Sequence, residues 1–498
     1  MNRPISLLAS LAILSLFFFS CKSEIETPSQ QRGFSVPATH AELKGFLELA
    51  AKKSPLLSLE VFGKTDGGLD LLVVKARDER KSPSGEKLRV LLFAKQHGNE
   101  HSGKEAAMLL VAGIANGKYN NWFNDMEIWI VPQVNPDGSE VNQRRNAGGI
   151  DLNRDHVVMQ SPEVLALHGL FHTFKPHVTI DVHEYQPFRP SWEEFGGFKQ
   201  FDVQVGVITN PNLSVSLRKY SEETVLPGIE KRLNQAGYSF HNYLVGPVPT
   251  EGITRHSTVD IDDGRQSFGV LGTLAFIYEG INGRDSYADN LQRRAQSQAL
   301  AMEAMVEILK PDRQKIIQNV ENSRQHLMTG GNEQVAIRMD HFPGENPLLL
   351  PLVSSKTGYD TLVVVHNYHP VVITTFSVER PKAYLIPKAD TLLMEFVRNH
   401  RIEFLETYSD PVNVFEYHIT ELRMSKDEDL ENFFPVVEKS RIGSSRFDRD
   451  YIYVPIAQLH SHFLVLTLEP QSQIGLAQNP LFHYLLLGND RFPILRIE

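Results

Sequence analysis

A histidine followed three residues later by a glutamate can place an imidazole and a carboxylate on one cation where the chain turns into a helix. This spacing occurs three times in the sequence, at His97/Glu100, His400/Glu403 and His418/Glu421. On pattern alone each is an ordinary surface pair, so context must choose among them. His400/Glu403 follows a helical pattern and His418/Glu421 opens a charged segment, neither with a second ligand cluster nearby. His97/Glu100 differs, because Gln96-His97-Gly98-Asn99-Glu100-His101 lies between the apolar run Leu88–Ala94 and a helical pattern. Ligands of open α/β sheets bind at the carboxyl ends of strands, and this is such an end. Other strand ends add to it. Asn135-Pro136-Asp137-Gly138 closes a second apolar run with a turn, and Arg144 to Arg154 follow it. A third run, Val178–Val182, delivers His183, and a fourth, Leu271–Tyr278, delivers Glu279.

In this order the motifs His-x-x-Glu, Asn-Pro-Asp-Gly, Asp-Leu-Asn-Arg, His and Glu resemble the zinc metallocarboxypeptidases of the carboxypeptidase A family, over roughly residues 40–310. The resemblance implies one zinc held by His97, Glu100 and His183. It further implies that Asn153 and Arg154 bind the terminal carboxylate of a peptide or protein substrate, that Arg144 polarises the scissile carbonyl, and that Glu279 is general base and acid. By the same analogy Asp151 accepts the free N–H of His97. Each role has a physical reason. Three protein ligands leave a zinc position open, whereas a structural site takes four. Zinc lowers the pKa of water to about 7, and a nearby carboxylate must then carry the proton. Glu184, the rival base, adjoins His183 on a strand and should face the other way. An arginine is the natural bidentate receptor for a carboxylate. In a water-poor cleft it should prefer a free acid over an amide by at least roughly a hundredfold. Between Ser239 and Glu279 the only tyrosines are Tyr243 and Tyr278, and their spacing fits neither to the family's mobile tyrosine. Arg255, Asp262, Asp263 and Arg265, in the segment expected to line the specificity pocket, give contradictory charge signals. A cell-wall peptide hydrolase of the same fold and a non-catalytic peptide-binding protein are the alternative readings.

The elements that must position these residues follow two rhythms. Between about residues 40 and 310, the strand-like runs Leu69–Val74, Leu88–Ala94, Met126–Val134, Val178–Val182 and Leu271–Tyr278 alternate with helical patterns at Ser102–Asn116, Pro162–Phe174, Ser214–Ala236 and Asp285–Leu309. Such alternation predicts an α/β sheet with helices on both faces. The family resemblance narrows it to a mixed eight-stranded sheet between helices. Beyond Pro311 the pattern turns β-like, at Leu362–Val365, Val371–Val378, Tyr384–Ile386, Val412–Tyr417, Phe434–Val437, Tyr451–Ile456 and Phe463–Leu468, with one helix near Leu392–Asn399. The expected organisation is a catalytic domain over 40–310 and a β-rich accessory domain over 311–498.

Composition narrows the chemistry further. The chain has 498 residues, 60 acidic and 50 basic, for a net charge of −10, which gives no electrostatic case for binding nucleic acid. Its single cysteine excludes an internal disulfide and any cluster of cysteine ligands, so a metal must rest on His and carboxylates. That cysteine, Cys21, ends an apolar run from Ile5 to Phe19 preceded by Arg3. The arrangement resembles a bacterial lipoprotein signal. Residues 1–20 are therefore expected to be a signal peptide, Cys21 a lipidated membrane anchor, and residues 21–39 a tether, placing the protein outside the cytoplasm.

Overall fold

The computed structural model describes residues 24–80, 86–329, 331, 333–409, 413–427, 430–443, 447–488 and 490–498; Cys21 and the apolar run before it lie outside the described residues. Eight strands form the main sheet: β1 (Leu57–Lys64), β2 (Asp70–Ala76), β3 (Leu88–Ala94), β4 (Met126–Val131), β5 (Val178–Tyr185), β6 (Val203–Val207), β7 (Phe240–Asn242) and β8 (Leu274–Ile281). Their spatial order is β1-β2-β4-β3-β5-β8-β6-β7. The four central strands β4, β3, β5 and β8 run parallel, while β2 and β6 pair antiparallel with their inner neighbours. The sheet is the mixed, eight-stranded one expected.

Central strands covered on both faces should read as continuous apolar runs, and β3 does, with only Arg89 less than buried. β5 breaks that rule. All eight of its positions are buried, yet it carries Asp181, His183 and Glu184. Burying charge is costly unless it is paired, so each of these groups needs a partner close to the strand.

Helices α1 (Ser102–Ala115) and α3 (Leu291–Leu309) pack together over one face of the sheet. On the other face, Phe268 of the short helix Gly264–Gly269 meets Phe93 of β3 edge to face. Helix α2 (Pro162–Phe174), capped by Ser161, stacks Phe174 on Trp129 of β4. α3 begins six residues later than its pattern suggests, because the Asp285 carboxylate captures the amides of Tyr287, Ala288 and Asp289 in a local turn. The Ser214–Ala236 pattern is helical throughout its centre, with a wide turn at Ser221–Val225.

Past Pro311 a further helix, Arg313–Thr329, precedes the strands. The largest sheet here has five, in the order Leu430–Ile442, Val414–Asp427, Leu495–Ile497, Ala383–Pro387 and Tyr451–Pro455. One expected strand is a helix: Phe463–Leu468 belongs to Ser461–Leu468, buried at every position. A short run apolar on all sides has no period to tell strand from helix, and its surroundings decided. The two halves of the chain share a single apolar cluster that includes Phe93, Phe268, Phe396 and Phe463. They also share sheets, because Leu348–Ser354 pairs with Gly197–Phe198, and Tyr368–His369 with Thr254–Arg255. Among the described residues no helix is long and apolar enough to cross a membrane.

Candidate active site

The site sits where β3, β5 and β8 end. Beyond Ala94 the backbone turns at Lys95, which has a positive φ of 63°, and lifts Gln96 and His97 off the sheet. Gly98 then passes so close to the next loop that a Cβ would lie 2.2 Å from the Gly138 carbonyl carbon, so only glycine fits between His97 and Glu100. Asn135 is the clasp: its Oδ1 accepts from Gly138 N at 2.9 Å, and its Nδ2 donates to the carbonyls of Gln96 and Arg144. This contact accounts for the Asn-Pro-Asp-Gly motif, whose asparagine holds the ligand loop against the arginine loop.

His97, Glu100 and His183 converge, all three buried. His97 Nδ1 lies 2.7 Å from Glu100 Oε1, His183 Nδ1 lies 3.0 Å from Glu100 Oε2, and the two Nδ1 atoms are 3.1 Å apart. The outer nitrogens face carboxylates. His97 Nε2 is 3.1 Å from Asp151 Oδ1, and His183 Nε2 is 2.9 Å from Asp181 Oδ1, off the ideal hydrogen-bond axis. With each outer N–H directed at a carboxylate, two Nδ1 lone pairs and a carboxylate point at one another. A cation resolves that conflict. Tetrahedral zinc, with Zn–N near 2.0–2.1 Å, separates two nitrogen ligands by about 3.3 Å, close to the spacing here. The field agrees: burial disfavours a charged His183, yet Asp181 and Glu100 outweigh it and push its pKa well up. Burial likewise works against an ionised Glu100, but His97 and His183 hold its carboxyl below the ordinary range. The residues present fit zinc.

Glu279 is in direct register with His183 on the neighbouring strand. Burial pushes its carboxyl up to about 7, against the pull of His183, while Glu100 adds to the rise. Tyr243 also faces Glu279 and favours its ionised form. Glu184 points to the other side of the sheet, as alternation requires. There it caps α1 through Ser102 N at 3.1 Å and pairs with Arg294 at 2.8 Å.

Arg144 is half-exposed, with Nε 2.9 Å from Asp151 Oδ2 and Nη1 3.7 Å from Glu100 Oε1. Asn153 is buried, and its Oδ1 accepts from Gly264 N at 2.8 Å and Gln96 Nε2 at 3.1 Å. A backbone N–H can only donate, so the amide orientation is settled and the Nδ2 donors remain for a ligand. Arg154 departs from expectation. It is exposed rather than sealed in a dry cleft, its Nη1 donating to Asn153 O at 2.6 Å under the field of Asp262, Asp151, Asp263 and Asp260.

The other two His-x-x-Glu pairs lie apart from these residues. His400 is core, its Nε2 2.7 Å from Val157 O, and His418 sits 2.9 Å from Glu416. One neighbour of the site escaped the sequence reading and another was rejected by it. Asp181 had a signal, since two residues before His183 on a strand means the same face. Tyr243 was weighed in the sequence and set aside on its spacing, yet the fold returns over the 36 residues between them to bring Glu279 to it.

A parallel-centred sheet with two histidines and a glutamate at its strand ends, and a second glutamate beside them, is the architecture of a metal-dependent hydrolase. Residues 44–321 match the family described as zinc carboxypeptidase, and the chain belongs to that family of zinc-dependent peptide hydrolases. Carboxypeptidase 2 of Trichophyton tonsurans is 24% identical over 487 residues, covering 94% of this chain and 88% of that protein. Carboxypeptidase 2 of Trichophyton rubrum is 25% identical over 377 residues, covering 71% of this chain and 67% of that protein. Among solved structures, a metallo-carboxypeptidase from Burkholderia cenocepacia aligns with a TM-score of 0.43 at 21% identity, over 55% of this chain and 70% of its own.

Proposed function

We propose that the protein removes residues from the free C-terminus of peptides, using one catalytic zinc held by His97, Glu100 and His183. The observation that carries this reading is the convergence of two imidazole Nδ1 atoms and one carboxylate, with Glu279 in register beside His183. When bound, zinc supplies Lewis acidity and brings the pKa of water down to about 7. Asp151 and Asp181 fix the histidine tautomers so that both Nδ1 atoms face inward. Asn153 and Arg154 bind the substrate's terminal carboxylate, and this positions the last peptide bond over Glu279. The Arg144 guanidinium donates to the scissile carbonyl oxygen as negative charge develops there. Glu279 takes a proton from the attacking water and delivers it to the leaving nitrogen, so the C–N bond breaks as the new carboxyl group and a free amine form.

The test is zinc content beside peptidase activity. His97→Ala or His183→Ala should lower bound zinc by about one per chain and abolish cleavage together. His418→Ala should change neither; zinc loss in that variant would mean that the wrong pair is assigned here. His400 is a poorer control, because its buried hydrogen bond to Val157 makes its removal a stability change.

The N-terminal sequence supports a second proposal, that the chain is exported and anchored in a membrane by acyl chains on Cys21. Wild-type protein should carry acyl groups and sediment with membranes, whereas Cys21→Ala should be soluble or uncleaved. A wholly soluble wild type with its mature end elsewhere would leave simple secretion.

A further inference from the structure

A second set of metal-type donors converges far along the chain from the first. His326 comes from the last turn of helix Arg313–Thr329, Glu333 from the residue before strand Gln334–Phe342, and His462 from helix Ser461–Leu468. His326 Nε2 lies 2.7 Å from Glu333 Oε2, and His462 Nε2 lies 3.0 Å from Glu333 Oε1. All three groups are within 4.8 Å of one another. A cavity of about 370 Å³, lined also by Asn212, Asn319 and Ser323, opens beside them.

The tautomer of His462 makes this more than a surface ion pair. Its Nδ1 is 3.0 Å from the Asn212 carbonyl oxygen, which can only accept, so Nδ1 carries a proton. A neutral His462 therefore presents a lone pair at Nε2, aimed at the oxygen of a carboxylate. Two acceptors at 3.0 Å need a positive centre between them, either a second proton or a metal ion. Glu333 presents an oxygen to each imidazole, Oε1 to His462 and Oε2 to His326. Arg380 takes up one lone pair of Oε1, at 3.3 Å. A carboxylate offers roughly four such sites, so that contact leaves room for a ligand bond. His326 contributes an exposed imidazole that can turn to complete the set.

We propose that His326, Glu333 and His462 form a second divalent-cation site, selective for borderline metals such as zinc, that ties the C-terminal helix Ser461–Leu468 to the helix following the catalytic sheet. Imidazole and carboxylate together suit zinc rather than calcium or magnesium, and three protein ligands with an open side permit exchange with solvent. Because the donors come from three elements and span 136 residues of sequence from His326 to His462, a bound ion favours the folded arrangement that brings them together.

The experiment is equilibrium dialysis of the metal-stripped full chain against zinc chloride, with bound zinc counted by mass spectrometry. Wild type should saturate at about two zinc per chain. His97→Ala/His183→Ala should keep one and lose peptidase activity, and His326→Ala/His462→Ala should keep one and retain activity. His462 is packed inside, so His326→Ala, whose side chain is more than half exposed, gives the decisive measurement should the double variant fail to fold. It should weaken the second zinc at least tenfold, the lower end of what even an outer partner of a metal contributes. Saturation of wild type at one zinc, or a second zinc indifferent to His326→Ala, overturns the site.

Discussion

Glu279→Gln is expected to keep its fold and its zinc and to lose about 10²–10⁴-fold in kcat, the range of general acid–base catalysis. The substitution preserves shape and removes only the ability to carry a proton. Burial raises the Glu279 carboxyl to about 7 in the metal-free field, with His183 opposing and Glu100 assisting. A cation between His97, Glu100 and His183 adds positive charge beside it, so the working pKa lies lower. The sign follows directly: a base acts when deprotonated, so kcat/KM should rise with pH through a limb at or below about 7 and then level. In Glu279→Gln that limb should vanish with the rate. Pre-steady-state rates across pH 5–9, measured beside zinc content, provide the check. Near-normal turnover with the limb intact would move the proton transfer to another group. Glu184 would be the first to examine, although its ion pair with Arg294 on the far side of the sheet argues against it.

The second large effect concerns the substrate's charged end. Peptides with a free C-terminus should be cleaved about ten- to a hundredfold faster than the same peptides amidated. The figure comes from hydrogen bonds to a charged group, worth about 1.5–3 kcal/mol, with each 1.4 kcal/mol or so equal to a factor of ten. A value above a hundredfold requires an arginine already stripped of water, but Arg154 is exposed in the free protein, so the unpaired state costs less. Asn153 is better prepared, since Gly264 and Gln96 lock its oxygen and leave the amide donors for the ligand. Arg154→Ala should slow cleavage of the free acid and barely alter the amide, bringing the two rates together. Equal rates on both peptides by the wild type, or internal fragments released ahead of single residues, would reject an exopeptidase and leave a zinc hydrolase of another kind.

The site was unusually legible because its candidate ligands sit at strand ends, and strand ends can be read from where apolar runs stop. His97 and Glu100 follow β3, His183 lies on β5, and Glu279 lies on β8. Both β5 and β8 run three residues past the stretch that announced them, because the ionisable residues are themselves strand residues whose pairing outweighs their polarity. A hydropathy reading stops where apolar residues run out; the hydrogen-bond ladder does not. The same blindness to environment turned the buried helix Ser461–Leu468 into an expected strand. Asp285 shows the reverse, a helical pattern interrupted by a side chain that binds the backbone first.

By itself the sequence determined an α/β sheet with helices on both faces, singled out His97/Glu100 among three His-x-x-Glu pairs, and carried the family resemblance, because periodicity, turn residues and ordered motifs are local properties of the chain. Only the tertiary structure could decide which groups meet across it. Tyr243 over Glu279 and the exposure of Arg154 depend on loops tens of residues long. So does the meeting of His326 and Glu333 with His462, 129 residues beyond Glu333. The free energy of such contacts arises when the folded sheet brings distant groups within a few ångströms, and no spacing along the chain records it.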